Sequence, residues 1–370
     1  MSILGFIFYT FVVVVFIQGL FYFIFFGKFA FLKLSKCSSK NTPISVIICA
    51  KNEAENLKNF LPSIISQDYP DFEIILINDA SSDNTLDVME HFAKQHPNIK
   101  IVNVKNIEAF WGNKKYALTL GIKASKNEYL LFTDADCKPV SKYWITEMNS
   151  QFNNEKTIVL GYGSYSKIKN SFLNKLIRFE TLITAIQYFS FAKIGLPYMG
   201  VGRNLAYTKK AFFDANGFVN HIKVRSGDDD LFINQVATKN NTAIAFSKES
   251  FTESIPKTSF KNWFKQKRRH VSAAKHYKLK HKVLLTLFYS SNFLFWVLSI
   301  VLFTSTYNWQ FVLGLFLFRF IFQYLIIGFS SKKLNETDLL IWLPFLEVFL
   351  IITQLTIFIN NLTSKPNFWK

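Results

Sequence analysis

Apolar positions in this chain fall into two kinds of run. At its ends they are long and unbroken: residues 3–26 (ILGFIFYTFVVVVFIQGLFYFIFF) carry no charge, and three more runs occupy 283–304, 309–329 and 338–360. A helix needs about 20 such residues to cross the hydrocarbon of a bilayer, and each run is long enough. Between them the apolar stretches are short and punctuated. PISVIICAKNEAENLKNFLPSIISQ predicts a β-branched strand at 43–49 followed by a helix, FEIILIND a second strand, SSDNTLDVMEHFAKQ a capped helix and IKIVNV a third strand. KKYALTLGIKAS then predicts a helix and EYLLFTDAD the next strand. This βαβα alternation predicts an α/β fold with a doubly wound, mostly parallel sheet, whose ligands gather at the carboxyl ends of the strands.

Composition and charge place that sheet beside a membrane. Of 370 residues, 50% are hydrophobic and 42 are Phe, with a formal net charge of +18. The first run lacks a basic leader and a small-residue cleavage site, so it reads as an anchor and not a signal peptide. Lys28, Lys33, Lys36 and Lys40 follow the first run, Lys280, His281 and Lys282 precede the second, and Lys332 and Lys333 join the third to the fourth, whereas residues 305–308 (STYN) are uncharged. The positive-inside rule then puts residues 28–282 in the cytoplasm and both termini outside, as in a multi-pass protein of the cytoplasmic membrane. Arg319 and Glu347 lie near the middle of the last two apolar runs, where mutual neutralisation is the economical arrangement. The organisation expected is an anchor at 1–27, a basic linker at 28–42, an α/β domain with interfacial helices at 43–275, three spans within 283–360 and a tail at 361–370. Within the α/β domain, residues 168–195 are amphipathic and aromatic, either a helix at the membrane interface or a buried core helix. Cys37, Cys49 and Cys137 are too few and too scattered for a disulfide framework or a zinc cluster.

The candidate chemistry sits where the predicted strands end. The first ends in Ala50-Lys51-Asn52-Glu53, the second in Asn78-Asp79-Ala80-Ser81-Ser82-Asp83, and the fourth in Asp134-Ala135-Asp136. In an extended segment i and i+2 point the same way, so Asp134 and Asp136 are expected to face one site. No G-x-G-x-x-G or G-x-x-x-x-G-K-[ST] follows a strand, which argues against dinucleotide and P-loop sites.

PISVIICAKNEAENL, IILINDASSDNT, GNKKYALTLGI, YLLFTDADC, SGDDDLF and QKRRH occur in the order seen in membrane-bound family 2 glycosyltransferases, and the chain resembles that family over about residues 43–275. The resemblance implies a GT-A fold, a nucleotide-diphospho-sugar donor, most simply uridine-linked, and a divalent cation, Mg²⁺ or Mn²⁺, held by carboxylate oxygen against the diphosphate. By the same resemblance Asp136 binds the metal, Asp134 contacts the ribose or the metal, and Asp79 hydrogen-bonds the base. Ala50, Asn52 and Glu53 belong to the turn that cradles the nucleoside, with helix N-terminal capping as an equal account of Glu53. Lys114 matches the family's diphosphate lysine, Lys115 is a substitute for it, and a solvated helix-start lysine is the alternative for either.

In the family's E-D-x-D-L pattern the aspartate three before Leu is the general base of an inverting transfer, which points to Asp228. Gly227 stands where the family has Glu, so Asp229 is the base in a slid register, or the acids cap the following helix. Gly200, Gly202, Arg203 and Asn204 resemble the acceptor-side loop. Gln266 and Arg269 resemble the donor-diphosphate residues of a Q-x-x-R-W motif, whose aromatic position is His270 here. The smaller ring offers less stacking area to an acceptor sugar and weakens a processive reading. Lys265, Lys267 and Arg268 have a separate expected role on anionic lipid headgroups. The expected function is therefore transfer of a sugar to a lipid-linked or other saccharide acceptor at the bilayer. The alternative is a catalytically inactive membrane scaffold of a glycan-assembly complex. A nucleic-acid partner is not expected, because the basic residues gather at the membrane flanks and around 257–282 with no nucleic-acid motif.

Overall fold

The computed structural model describes residues 2–34, 41–105, 114–224 and 226–364; Lys36, Cys37 and Lys40 lie outside these. Helix α1 (Ile3–Leu20) continues through a π-helical turn into α2 (Gly27–Ala30). The predicted alternation follows as β1 (Ile44–Ala50), α3 (Ala54–Ile65), β2 (Phe72–Asp79), α4 (Thr85–Gln95), β3 (Ile99–Val104), α5 (Lys114–Ala124) and β4 (Tyr129–Asp134). Beyond it come β5 (Cys137–Pro139), α6 (Trp144–Asn149), β6 (Ile158–Leu160), β7 (Gly163–Tyr165), the long α7 (Phe172–Lys193), β8 (Leu205–Thr208) and α8 (Lys209–Asp214). The chain ends with α9 (Asp230–Val236), β9 (Thr242–Ile244), β10 (Thr252–Ser254), α10 (Phe260–Ala273), α11 (Leu279–Thr304), α12 (Trp309–Lys333) and α13 (Leu343–Thr363). These elements form two compact units. One comprises Leu34–Lys169 and Pro197–Thr258; the other comprises Met1–Lys33, Asn170–Leu196 and Ser259–Asn367.

The first unit is built on a seven-stranded sheet of order β3-β2-β1-β4-β8-β6-β9. Neighbouring pairs are parallel except those made by β8, which runs against both β4 and β6. Buried strands of this kind read as continuous apolar runs, and in β1 every residue but Cys49 is buried. Helix α3 places Leu57, Leu61 and Ile64 in the core at helical spacing. Gly121 lets α5 lie close against β2: a Cβ there would stand 2.2 Å from the Ile77 Cδ1 atom. A second sheet, β5-β10-β7, has three strands.

The second unit holds four helices long and apolar enough to cross a membrane: Ile3–Ala30, Leu279–Thr304, Trp309–Lys333 and Thr337–Thr363. They meet at a buried polar knot. The Arg319 guanidinium on α12 forms a two-pronged pair with the Glu347 carboxylate on α13, its Nη1 lying 3.0 Å from Oε2. Its Nε donates to Gln18 on α1 at 3.2 Å and its Nη2 to Asn292 on α11 at 2.9 Å. Gln323 and Trp296 donate to the same carboxylate, at 2.7 and 3.2 Å, and Arg319 lies 4.4 Å from the Phe295 ring centroid. The pair expected from the sequence is thus embedded in side chains from every one of the four helices. At one end of this bundle Lys333 donates to the carbonyls of Phe29 and Leu32, so the basic ends of α2 and α12 lie together.

Most residues of α7 are covered by protein, and it belongs to the helical unit and not to the sheet unit. Its Arg178 is paired with Glu336 and, at 2.9 Å, with Asp338. The lipid-headgroup role expected for Lys267 and Arg268 is not supported by their placement. Lys267 pairs with Glu180, and Arg268 donates to the Asn361 side chain at 3.0 Å and to the Asn360 carbonyl at 3.0 Å, so both charges are spent inside the unit. Lys265 is exposed.

Removing one partner of a buried ion pair strands the other, at about 3–5 kcal/mol, while replacing both with apolar residues is far milder. Arg319→Leu is therefore expected to lower the unfolding midpoint of the detergent-solubilised protein strongly, and Arg319→Leu/Glu347→Leu to recover most of that loss. Equal melting of the single and double variants would show that the pair is not a stability element.

Candidate functional site

Strand order reverses between β1 and β4, the point in an open α/β sheet where a crevice opens beyond the carboxyl ends. The register aligns those ends: Ala50 lies opposite Asn78, and Cys49 opposite Asp134. The loops leaving β1 and β2 are stitched together. Asn52 and Ala80 adopt left-handed conformations, with φ of 55° and 48°. The Asn52 amide donates to Ser81 Oγ at 3.0 Å, while its side-chain oxygen accepts from the Ser82 amide at 2.8 Å. The Glu53 amide donates to Thr85 Oγ1 at 2.9 Å and the Ala54 amide to Asp83 at 3.3 Å. Asn52 and Glu53 were both expected at the nucleoside. The structure uses the Asn52 side chain as a loop tie. Glu53 occupies the N-cap position of α3 without a side-chain cap bond, its carboxylate accepting from Asn56 instead. Ala50 is buried at the strand end.

Asp79 closes β2 inside the protein, 3% exposed, and its Oδ2 has no hydrogen-bond partner. Burial raises its pKa, against the pull of Lys51 and Lys114. A buried acceptor left open is costly.

The D-x-D segment is a tight turn: Asp134 ends β4, Ala135 and Asp136 turn, and Cys137 starts β5. The two carboxylates still serve one place, since ligand atoms of Asp134, Asp136 and Cys137 lie within 4.8 Å of one another. Oxygen donors suit a hard divalent cation. The Cys137 thiol does not add to them, because burial and then Asp136 and Asp134 hold its pKa well above the usual value, and its sulfur sits 2.8 Å from Ser254 Oγ. The residues fit a divalent cation, which Asp134 and Asp136 would hold.

Lys114, at the start of α5, ties this turn to the second acidic cluster. Its ammonium lies 2.8 Å from Asp134 Oδ1 and 3.2 Å from Asp228 Oδ2. Burial disfavours its charge, yet Asp134 and Asp228 outweigh that and hold its pKa well above the ordinary lysine value. Lys114, Asp134, Gly202, Asp228 and Asp229 line one recess over a floor that includes Cys49 and Tyr207. Within it the two candidate bases differ. Asp229 is the N-cap of α9; one oxygen accepts from the Asp230 amide and the other from the Gly202 amide, each at 2.7 Å. Burial and the adjacent Asp228 raise its pKa to about 6. Asp228 is half-buried and salt-bridged to Lys114. Gly227, the departure from the family pattern, has φ of +92°, and a Cβ there would stand 2.5 Å from Leu231, so the backbone at this point favours glycine.

Two expected roles change. Lys115 is no substitute at a diphosphate: it is buried and donates to the carbonyls of His221, Val224 and Ser226. Asn204 does not face an acceptor: fully buried, it donates to the carbonyls of Tyr162 and Ser250 at 2.8 Å and accepts from Trp144 Nε1 at 3.1 Å. Gly202 serves the site through its amide. Arg203 lies 4.1 Å from the Tyr165 ring centroid and 3.4 Å from Ser254 Oγ, beside the D-x-D turn. Gln266, Arg269 and His270 lie on α10 of the other unit, the first two half-buried and His270 exposed. The Lys115 contact escaped sequence reasoning, although Lys115 shares a helical face with Leu118 and Ile122, both buried.

Residues 45–214 match the family described as Glycosyl transferase family 2, and residues 140–355, more than half of the chain, match Glycosyl transferase family group 2. Poly-beta-1,6-N-acetyl-D-glucosamine synthase of Staphylococcus epidermidis is 37% identical over 123 residues, which are 32% of this chain and 29% of that protein. Glycosyltransferase AglE of Haloferax volcanii is 27% identical over 193 residues, 50% of this chain and 58% of that one. The matched regions thus span less than two thirds of either relative. Among solved structures, the mannosyltransferase PcManGT of Pyrobaculum calidifontis, in complex with GDP-Man and Mn²⁺, superposes with a TM-score of 0.59 at 16% identity, covering 90% of this chain and 99% of that one, which shows a shared GT-A fold. A crevice of acids at the strand ends, the GT-A sheet that carries it and the extent of these matches agree: the chain belongs to glycosyl transferase family group 2.

Proposed function

We propose that this protein is a membrane-anchored, metal-dependent, inverting glycosyltransferase that moves a sugar from a uridine-diphospho-sugar to a lipid-linked or other saccharide acceptor at the cytoplasmic face of the membrane. The observation that carries the reading is the Lys114 ammonium lying between Asp134 and Asp228. It gathers a donor-side acid and an acceptor-side acid around a single cation. Asp79 accepts from the base through its open oxygen, and uracil offers one ring N–H for that purpose. Asp134 and Asp136 hold the divalent cation, which when bound offsets the charge of the diphosphate and of the nucleotide that leaves. Lys114 adds a second positive charge there. Asp228 takes the proton of the acceptor hydroxyl as its oxygen bonds to the anomeric carbon and the bond from that carbon to the diphosphate oxygen breaks. Asp229, whose oxygens serve the Gly202 and Asp230 amides, holds the loop. The four candidate membrane helices in the same chain support this acceptor class.

Donor binding is tested by calorimetry with UDP and GDP, with and without Mn²⁺. Asp136→Asn is expected to abolish the metal dependence of UDP binding, and Asp79→Ala to weaken UDP about tenfold or more even without metal, as expected when a hydrogen bond involving a charged group is lost. Unchanged Mn²⁺ dependence in Asp136→Asn would remove the metal assignment, and a preference for GDP would replace uridine.

The base is tested by turnover. Asp228→Asn is expected to lower turnover about 10²–10⁴-fold with donor affinity nearly intact. Asp229→Asn, which keeps an oxygen for only one of the Gly202 and Asp230 amides, is expected to lower turnover much less than Asp228→Asn. The reverse pattern would move the base by one residue.

A further inference from the structure

Two consecutive lysines open α5 and act on the same loop by different means. Lys114 holds the Asp228 side chain. Lys115, turned onto the buried face of the helix, holds the backbone that leads to it: its ammonium lies 2.8 Å from the His221 carbonyl, 2.8 Å from that of Val224 and 2.9 Å from that of Ser226. An ammonium has three N–H donors and no acceptor, and these three carbonyls are acceptors that it reaches. The His221 carbonyl also accepts from the Val224 amide at 3.0 Å, so Lys115 ties the end of a short helical turn to the backbone that approaches Asp228. Immediately after Ser226 come the left-handed Gly227 and then Asp228.

We infer that Lys115 is a positioning residue, fixing the backbone at His221, Val224 and Ser226 so that Asp228 stands at the Lys114 ammonium; this rests on Asp228 being the base. The requirement is for a protonated amine. Once neutral, Lys115 has two donors and a lone pair, so one of its contacts to the three carbonyls is lost. Burial lowers the Lys115 pKa to about 8, against the opposing charges of Asp228, Asp230 and Asp229 on the loop and α9, while Lys114 flanks it on its own helix. The clamp is thus intact below about 8 and loosens as pH rises through that value. Because the folded-state value lies below the ordinary 10.5, the unfolded chain binds the proton more tightly in that interval and deprotonation there adds to global stability. Loss of activity on this limb is therefore a local loosening and not unfolding.

Amide hydrogen exchange on the full-length protein in detergent, corrected for the intrinsic pH dependence of exchange, reads the clamp directly. In Lys115→Met, protection of residues 221–228 is expected to fall about tenfold or more, with β1, β2 and β4 unchanged, Mn²⁺–UDP affinity within about twofold, and turnover reduced in kcat and not in donor KM. In the wild-type protein, which needs no variant to fold, the same segment is expected to lose protection as pH passes about 8 while the strands keep theirs. Protection of 221–228 that is flat across that interval, or a folded Lys115→Met variant with normal protection or normal turnover, overturns the inference. Failure of the base assignment shows separately, as full turnover in Asp228→Asn with 221–228 still protected.

Discussion

One ammonium between two carboxylates sets the terms for the acidic end of the sheet. Asp79, Asp134 and Asp136 end or follow parallel strands, and Asp228, Asp229 and Asp230 follow one another at the start of a helix. Left alone, such a set would repel, and its members would take up protons or move apart. Lys114 keeps Asp134 and Asp228 together, and a helix start beyond the carboxyl ends of the central strands is what puts it within reach of both. The surrounding geometry serves the same end. Gly121 brings α5 against β2, Gly227 lets the chain turn into the acids, and the Gly202 amide takes one oxygen of Asp229.

The helical unit answers the same constraint in a less polar setting. Arg319 and Glu347 are neutralised by each other and completed by Gln18, Asn292, Gln323 and Trp296. Arg178 is completed in the same manner by Glu336 and Asp338. A buried network with its members satisfied specifies one arrangement of helices, because an alternative packing leaves charges stranded.

Much of this was legible in the sequence, and the reason is local. The strand and helix order from β1 to β4 follows from apolar period and turn residues, and the D-x-D turn from acids placed after a run as apolar as YLLF. The Arg319–Glu347 pair was legible because only two charges interrupt their runs. What escaped depends on distant backbone. Lys115 reads as one of two equivalent lysines until the carbonyls of His221, Val224 and Ser226 are seen above it. Asn204 reads as part of an acceptor loop until Trp144, Tyr162 and Ser250 are brought around it. The antiparallel β8 and the burial of α7 likewise depend on pairings that span long stretches of chain.

The polar knot also bears on how the chain is made. A lone arginine at the middle of a helix costs about 2.5–3.5 kcal/mol to insert into a bilayer, and α12 carries Arg319 at that depth, while its carboxylate partner lies 28 residues further along, on α13. During synthesis α12 therefore emerges with its charge uncompensated. Gln18 and Asn292, on helices that precede α12 in the chain, are the partners of Arg319 already made by then, and a chain that stops before α13 keeps those two and lacks the carboxylate.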